Sequence, residues 1–210
     1  MDFVNHIEEC VAKAERNESK VCPEILALEG MSGSKTRHLY NNLVAFEGAR
    51  YLEIGCWKGS TLAAAMYQNK ADIVCIDNFC DFEDGSAKKT LLEVIEKYTG
   101  ENSVTFKEED SFAVDVKALP KFNVYMYDGD HEKESHLKAL THYYDCLDNT
   151  FIFIVDDWNW QQVKTGTIEA IHRLNLKVLH KIQIESEPYP DKEGYWNGVL
   201  ISVLQKQPRT

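Results

Sequence analysis

The segment YLEIGCWKGS, residues 51–60, has the pattern of a buried strand that runs through a tight turn into a helix. Its apolar run ends at Gly55, and a helical pattern begins after Gly59. A glycine at such a turn lets a ligand approach the backbone, and the following helix points unpaired N–H groups at that ligand. Asp77 follows the next apolar run, about 20 residues further on, where a carboxylate can bind ribose hydroxyls. The segment predicts a nucleoside-binding strand–helix–strand unit, although a structural turn without a ligand has the same local pattern.

The spacing of the glycines distinguishes this turn from one that binds dinucleotides. The dinucleotide fingerprint G-x-G-x-x-G has a second glycine that lets the chain approach a pyrophosphate. Residues 53–60 instead follow the pattern E-x-G-x-x-x-G-S. This pattern resembles motif I of the class I S-adenosylmethionine-dependent methyltransferases, whose cofactor has no phosphate. The resemblance implies that the turn passes under the methionine part of the cofactor and that Asp77 binds the ribose.

The composition narrows the class of partner. The 210-residue chain has a formal net charge of −11 and a pI near 5.1, which argues against a nucleic-acid partner because a phosphate backbone favours a basic surface. The sequence shows no early apolar signal segment and no apolar run long enough to span a bilayer, so we expect neither secretion nor membrane binding. Six cysteines lack C-x-x-C spacing and are typical of free thiols. The predicted location is the cytoplasm.

Apolar runs and helical patterns alternate along the chain, which is typical of an α/β domain. Residues 1–48 predict only helices, an N-terminal appendage whose glycine-bearing loop is suited to act as a lid. Residues 49–210 predict a Rossmann-like domain, with a mostly parallel seven-stranded sheet, helices on both faces and a C-terminal antiparallel hairpin. The predicted strands are 51–54, 72–76, 104–106, 122–127, 151–155, 177–184 and 198–204.

Acidic residues stand at the ends of four predicted strands. They are Glu53, Asp77, Asp128 and Asp156. Ligands of open α/β sheets bind outside the carboxyl ends of the strands, so we expect these side chains to line one crevice. The usual strand order makes the fourth and fifth strands neighbours, which brings residues 128–130 close to residues 156–157. Carboxylates so close together repel unless protonation or a cation neutralises them, and Mg²⁺ is the simplest such cation.

The residues around these acids resemble a more specific family. The segments VYMYDGDHEKESH, residues 124–136, and FIFIVDDW, residues 151–158, are similar to metal-dependent O-methyltransferases of the macrocin O-methyltransferase type. The resemblance implies a divalent-metal site formed by Asp128, Asp156 and Asp157. It also implies that Asp130 is the general base. The neighbouring His131 can serve as base or metal ligand, or can pair with an acid at the start of a helix.

The same resemblance implies which residues contact the cofactor. Most belong to the glycine turn and to the ends of the strands, and the end of the third strand corresponds to the adenine contact. The implied contacts are Glu53, Gly55, Cys56, Gly59, Ser60, Asp77, Asn78, Asp110, Ser111 and Asp128. Trp158 and Trp160 flank the last acidic pair, and predict either an aromatic wall for the acceptor or packing under the next helix.

These observations predict an enzyme that transfers a methyl group from S-adenosylmethionine to an oxygen of a small hydroxylated acceptor, such as a sugar, a catechol or another diol. The expected cofactors are S-adenosylmethionine and a divalent metal, and a homo-oligomer is compatible with the sequence. Two alternatives are a metal-dependent phosphatase of the haloacid-dehalogenase type and a cofactor-binding protein without catalysis. The phosphatase alternative ranks lower, because that family places its D-x-D motif after the first strand and leaves residues 53–60 without a role.

Overall fold

The computed structural model describes residues 1–80, 85–186 and 191–208. Parts of two predicted loops, one after the second strand and one containing Pro188 and Pro190, lie outside the described residues. The helices are Phe3–Glu15 (α1), Pro23–Leu26 (α2), Ser34–Val44 (α3), Ser60–Met66 (α4), Ser86–Tyr98 (α5), Lys133–Tyr143 (α6) and Gln161–Arg173 (α7). The strands are Ala49–Ile54 (β1), Ala71–Ile76 (β2), Ser103–Lys107 (β3), Phe122–Tyr127 (β4), Leu147–Val155 (β5), Lys177–Ile184 (β6) and Val199–Gln205 (β7).

The strands form one seven-stranded sheet in the order β3-β2-β1-β4-β5-β7-β6. Strands β1 to β5 pair in parallel, and β7 runs antiparallel between β5 and β6. This arrangement confirms the predicted Rossmann-like fold with its C-terminal antiparallel pair. No helix in the described part of the chain is both long and apolar enough to cross a membrane.

Helices cover both faces of the sheet because successive strand residues point to opposite sides. Tyr51 of β1 belongs to an apolar cluster that includes residues of α1, α3, α4 and α5. Leu52, the next residue, belongs to a second cluster that includes residues of α6 and α7. Both side chains are fully buried, as expected for parallel strands that are covered on both faces.

The N-terminal helices share the first of these clusters, where Leu39 and Tyr40 of α3 pack with residues of the sheet. The start of α3 is also hydrogen-bonded to the loop that precedes β7. The N–H of Ser34 donates to the carbonyl of Lys192 at 2.9 Å, which satisfies a helix-terminal N–H group without a side-chain cap. That residues 1–48 form a separate lid stays a prediction.

The turn after β1 is held against the end of β4. Gly55 has a φ of +84°, and a Cβ at this position would lie 1.8 Å from the carbonyl oxygen of Asp128. The N–H of Gly55 donates to the carbonyl of Ile76 at 3.0 Å, and the N–H of Asp128 donates to the carbonyl of Ile54 at 2.9 Å. We expected a ligand to require this glycine, but the backbone of the neighbouring strand already requires it, since no side chain fits between the two.

Glu53 ties the end of β1 to the first turn of α4. Its carboxylate is fully buried and accepts hydrogen bonds from the hydroxyls of Tyr51 at 2.8 Å and Thr61 at 2.7 Å. Burial raises the pKa of Glu53 to about 7, although the two hydroxyls oppose this rise. The side chain therefore connects β1 to the start of α4 beside the glycine turn. Its protonation state changes near neutral pH.

We expect Glu53→Gln to change the pH dependence of stability. The folded pKa of Glu53 lies above its ordinary value of 4.5, so the folded chain keeps a proton that the unfolded chain loses. The stability that this group contributes is therefore present below about pH 4.5 and is lost as the pH rises to about 7. A glutamine does not titrate. The unfolding free energy of the variant minus that of the parent should therefore rise by on the order of 3 kcal/mol between about pH 5 and about pH 8.

Urea unfolding of both proteins at the two pH values measures this difference. Parallel stability profiles for the parent and the variant would contradict it.

Candidate active site

A cleft of about 1060 Å³ lies at the carboxyl ends of β1, β2, β4 and β5. A second cavity of about 960 Å³ lies at the opposite edge of the sheet, beside the first residues of β1, β2 and β3. None of the predicted site residues lines that second cavity. The first cleft is the candidate active site, because ligands of open α/β sheets bind outside the carboxyl ends of the strands.

The cleft gathers many of the residues that the sequence predicted for cofactor binding, but not all of them. Those that line it are Gly55, Asp77, Asn78, Asp110, Ser111 and Asp128. Four others lie behind its wall, where they are buried and support the turn between β1 and α4. These four are Glu53, Cys56, Gly59 and Ser60.

Asp77 organises the donor side of the cleft, which we define as the lining residues that follow β1, β2 and β3. Its two carboxylate oxygens accept from the backbone N–H groups of Trp57 and Phe79, each at 2.7 Å. Both of these residues have positive φ values, 43° and 56°, so the carboxylate holds two turns in place. An ionised carboxylate has about four acceptor positions, which leaves Asp77 able to accept from the two hydroxyls of a ribose.

The third strand completes the donor side. Asp110 accepts from the N–H of Phe112 at 2.7 Å, and the hydroxyl of Tyr143 donates to the carbonyl of Ser111 at 2.5 Å. The rings of Phe79 and Phe112 line the cleft and offer flat apolar surfaces to a purine. Sequence reasoning missed both rings, because a phenylalanine in a loop carries no motif.

Asp128, His131 and Asp157 form what we call the acid cluster. The Nε2 atom of His131 lies 2.6 Å from Oδ2 of Asp157 and 3.9 Å from Oδ1 of Asp128. One potential ligand atom from each of the three residues lies within 4.8 Å of the others. The sequence predicted Asp156 as the third member, and the structure brings His131 to that position instead.

Asp156, next to Asp157 in the chain, is almost fully buried although it lines the cleft. It is 5% exposed, and its Oδ1 atom has no hydrogen-bond partner among the described residues. Burial, and then the charges of Asp128 and Asp157, raise the pKa of Asp156 well above its usual range.

Within the acid cluster, the pKa values of Asp128 and His131 are both raised above their usual ranges. Burial raises the pKa of Asp128 to about 6, and the charge of Asp157 adds to the rise while His131 opposes it. Burial alone would lower the pKa of His131, but the carboxylates of Asp128 and Asp157 outweigh it and raise that pKa to about 10. At neutral pH His131 is therefore an imidazolium held between two carboxylates.

Asn197 holds Asp157 from the other side. Its Nδ2 atom donates to Oδ1 of Asp157 at 2.5 Å, so the two oxygens of this carboxylate face Asn197 and His131. The backbone of Asp157 has a φ of 53°, which is uncommon for a residue other than glycine. Asn197 lies in the loop before β7, 40 positions from Asp157, and no local pattern in the sequence links the two.

Asp130, the predicted base, lies apart from the acid cluster on an exposed edge of the cleft. Its carboxylate accepts from the hydroxyl of Ser135 at 2.5 Å and from the N–H of Glu132 at 3.3 Å. These contacts hold the turn that leads into α6. The two tryptophans divide between the predicted roles, since Trp158 is buried at 2% exposure whereas Trp160 is 38% exposed and lines the cleft.

The donor atoms of the acid cluster fit a divalent metal ion. Two carboxylates supply oxygen ligands, and His131 supplies a nitrogen ligand once it has released its proton, all within the required span. Asp156 is next to Asp157 in the chain but is not among the residues whose ligand atoms lie within this span. The residues present are therefore compatible with the metal site that the resemblance implies.

Comparisons with known proteins agree with this architecture. A family model described as "Methyltransferase domain" matches residues 52–158, just over half of the chain. No curated protein gives a significant match. The family match runs from β1 through the acidic pair after β5, so it contains the glycine turn and both acidic segments. It does not support the phosphatase alternative.

Solved structures with low sequence identity share the fold. TrmN from Thermus thermophilus superposes with a TM-score of 0.59 at 14% identity, over 88% of this chain and 52% of that one, so this chain spans about half the length of TrmN. A putative RNA methyltransferase from Pyrococcus horikoshii gives 0.56 at 13% identity, covering 97% and 98%. The SAH-bound methyltransferase PaMTH1 from Podospora anserina gives 0.57 at 15% identity, covering 96% and 88%.

The family match covers the strands and turns that build the cleft, and the sheet has the same overall fold as these methyltransferases. The chain therefore belongs to the methyltransferase-domain family.

Proposed function

We propose that the protein transfers the methyl group of S-adenosylmethionine to a hydroxyl oxygen of a small acceptor, with the help of a divalent metal. One observation carries this proposal. A single cleft contains both the donor side, organised by Asp77, and the acid cluster of Asp128, His131 and Asp157. The donor and the acceptor would therefore meet above Gly55 and Asp128, where the two sides join.

The donor side provides the contacts for the cofactor. Asp77 would accept the ribose hydroxyls, and Phe79 and Phe112 would contact the purine together with Asp110 and Ser111. The carboxylate of Asp128 would contact the methionine part, where negative charge stabilises a sulfonium. When bound, S-adenosylmethionine supplies an electrophilic methyl group, so the chain has to align the acceptor oxygen and remove its proton.

The acid cluster provides the proton acceptor. Oδ1 of Asp128 lies on the side of His131, which leaves Oδ2 to take the proton of the acceptor hydroxyl. With a pKa raised to about 6, Asp128 is ionised at neutral pH yet is a stronger base than an ordinary aspartate. We assign the role of proton acceptor to Asp128 rather than to Asp130, because the Asp130 carboxylate is already hydrogen-bonded at the exposed edge of the cleft.

The metal would be held by the same cluster, Asp128, His131 and Asp157. When bound there it would supply positive charge that lowers the pKa of a coordinated hydroxyl. Two adjacent hydroxyls suit such a site, which supports a diol, a catechol or a sugar as acceptor.

The charge of the cleft supports a small acceptor rather than a nucleic acid. Although one structural neighbour is titled a putative RNA methyltransferase, the cleft of this chain is lined by acidic side chains. A phosphate backbone would be repelled by such a surface, because nucleic-acid sites are basic.

We expect Asp77→Asn to weaken cofactor binding. The amide keeps one acceptor oxygen for the backbone but loses the second, so the affinity for S-adenosylhomocysteine should fall about 10- to 100-fold, or about 1.4–2.8 kcal/mol. Isothermal titration calorimetry measures this, with NAD as the competing nucleoside ligand.

Asp72→Asn is the matched control, since Asp72 is an exposed aspartate near the other end of the same strand. An unchanged affinity in Asp77→Asn, or binding of NAD instead of the sulfonium cofactor, would contradict the assignment.

We expect removal of divalent metal to abolish most turnover, and Asp157→Asn to weaken Mg²⁺ or Mn²⁺ binding by at least about tenfold, because a neutral amide replaces an anionic ligand. Cofactor affinity should change much less, since its contacts lie mainly on the donor side. Metal titration and S-adenosylhomocysteine release with a diol acceptor measure the two effects. If a chelator leaves turnover intact, the metal is not part of the mechanism, and the imidazolium of His131 alone balances the carboxylates.

A further inference from the structure

The acceptor side of the cleft, which we define as the lining residues that follow β4 and β5, carries an exposed acid and an exposed aromatic ring. Trp160 is 38% exposed and lines the cleft. Asp130 is exposed and also lines the cleft. We call these two residues the rim. An exposed indole in a concave cleft is suited to contact a ligand.

The whole cleft is strongly anionic. Seven carboxyl groups line it, and no lysine or arginine is among the described residues that do so. They are Asp77, Glu109, Asp110, Asp128, Asp130, Asp156 and Asp157. An acceptor that carried a phosphate or a carboxylate would find no cationic side chain to receive it, apart from the imidazole of His131.

The acids of the donor side are largely engaged. Asp77 and Asp110 each accept backbone N–H groups, and Glu109 pairs with Lys107 at 3.2 Å. Two further lysines lie against rings of the donor side, Lys58 at 4.7 Å from Trp57 and Lys138 at 5.5 Å from Phe112. Two lysines near the acceptor side, Lys133 and Lys164, pair instead with Glu169 at 2.7 Å and Glu185 at 2.6 Å.

On the acceptor side, the described lining residues carry four carboxyl groups and one basic side chain. The carboxyl groups belong to Asp128, Asp130, Asp156 and Asp157, and the basic side chain is that of His131. His131 lies against Asp157 and Asp128, and Asp130 is outside that group. The donors to Asp130 are a hydroxyl and a backbone N–H, so no lysine, arginine or histidine among the described residues pairs with it.

Trp160 contacts the segment that carries Asp130. Its ring is 4.7 Å from the ring of His131, the residue that follows Asp130 in the chain. A carboxylate and an exposed indole that line the same cleft can together bind an organic ammonium group, through ion pairing and cation–π attraction.

We propose that the acceptor is a hydroxylated amine, whose protonated amino group is held at the rim by Asp130 and Trp160 while its hydroxyl reaches the acid cluster. This inference rests on the proposed function and extends it to the substrate class. A bound metal would leave it unchanged, because Asp130 is not part of the acid cluster. The role of Asp130 is then recognition of the acceptor.

Three catechols with the same ring and different side-chain charge test the proposal. Dopamine carries an ammonium, 4-ethylcatechol is neutral, and 3-(3,4-dihydroxyphenyl)propanoate carries a carboxylate. We expect kcat/KM to fall in that order, by about tenfold at each step, which corresponds to about 1.4 kcal/mol. Equal values, or a preference for the carboxylate, would overturn the proposal.

Variants identify the residues responsible. In Asp130→Asn the ratio of kcat/KM for dopamine to that for 4-ethylcatechol should fall about tenfold, chiefly through KM for dopamine, and in Trp160→Leu several-fold. Asp115→Asn is the matched control. The carboxylate of Asp115, like that of Asp130, accepts a backbone N–H at the start of a helical turn, but Asp115 lies outside the cleft. If Asp130→Asn lowers kcat equally for all acceptors, Asp130 acts in proton removal and the proposal is wrong.

A binding experiment separates this proposal from the proposed function. If the parent methylates none of the catechols, O-methylation of such diols fails, but ammonium recognition is still measurable. With S-adenosylhomocysteine bound, 2-phenylethylammonium should raise the Tm of the parent more than 3-phenylpropanoate does, and Asp130→Asn should remove the difference. No difference in the parent would overturn the proposal whatever the outcome of the turnover assay.

Discussion

The close approach of two strand ends fixes the geometry of the site. The carbonyl of Asp128 occupies the space where Gly55 would carry a side chain, so the turn after β1 and the acids after β4 are held in one rigid unit. Parallel pairing of β1 with both β2 and β4 then places Asp77 on one side of this contact and the acid cluster on the other. The donor side and the acid cluster therefore meet at the contact between Gly55 and Asp128.

Charge balance is the second constraint on the cleft. Like charges so close together raise the pKa of Asp128 and Asp156 once burial has removed water from them. His131 supplies a cation from within the chain, and Asn197 fixes the carboxylate that faces it. His131 thus offsets part of that negative charge, while the oxygen and nitrogen atoms of the cluster lie close enough together to bind a metal. Metal and imidazolium are alternative ways to neutralise the same carboxylates.

Sequence patterns predicted the sheet and the end of the sheet that carries the site, because strand periodicity and strand-end acids are local properties of the chain. They did not predict the direction of Glu53, since a residue at a strand end faces the cleft or the core according to packing against α4. They also placed Asp156 among the ligands and missed Asn197. These depend on side-chain directions after β5 and on a loop that returns from β7, which only the folded chain brings together.

Two buried polar groups near the cleft link the N-terminal helices to the site. The hydroxyl of Tyr40 on α3 and Oδ1 of Asp156 have no hydrogen-bond partner among the described residues. Among charged groups, Asp156 contributes most to the raised pKa of Tyr40, after burial itself. Each unpartnered group costs about 1–3 kcal/mol, and native proteins retain few of them without a ligand or an ordered water. Because Tyr40 belongs to α3 and Asp156 directly follows β5, the N-terminal helices place a buried hydroxyl close to the acidic residues of the cleft.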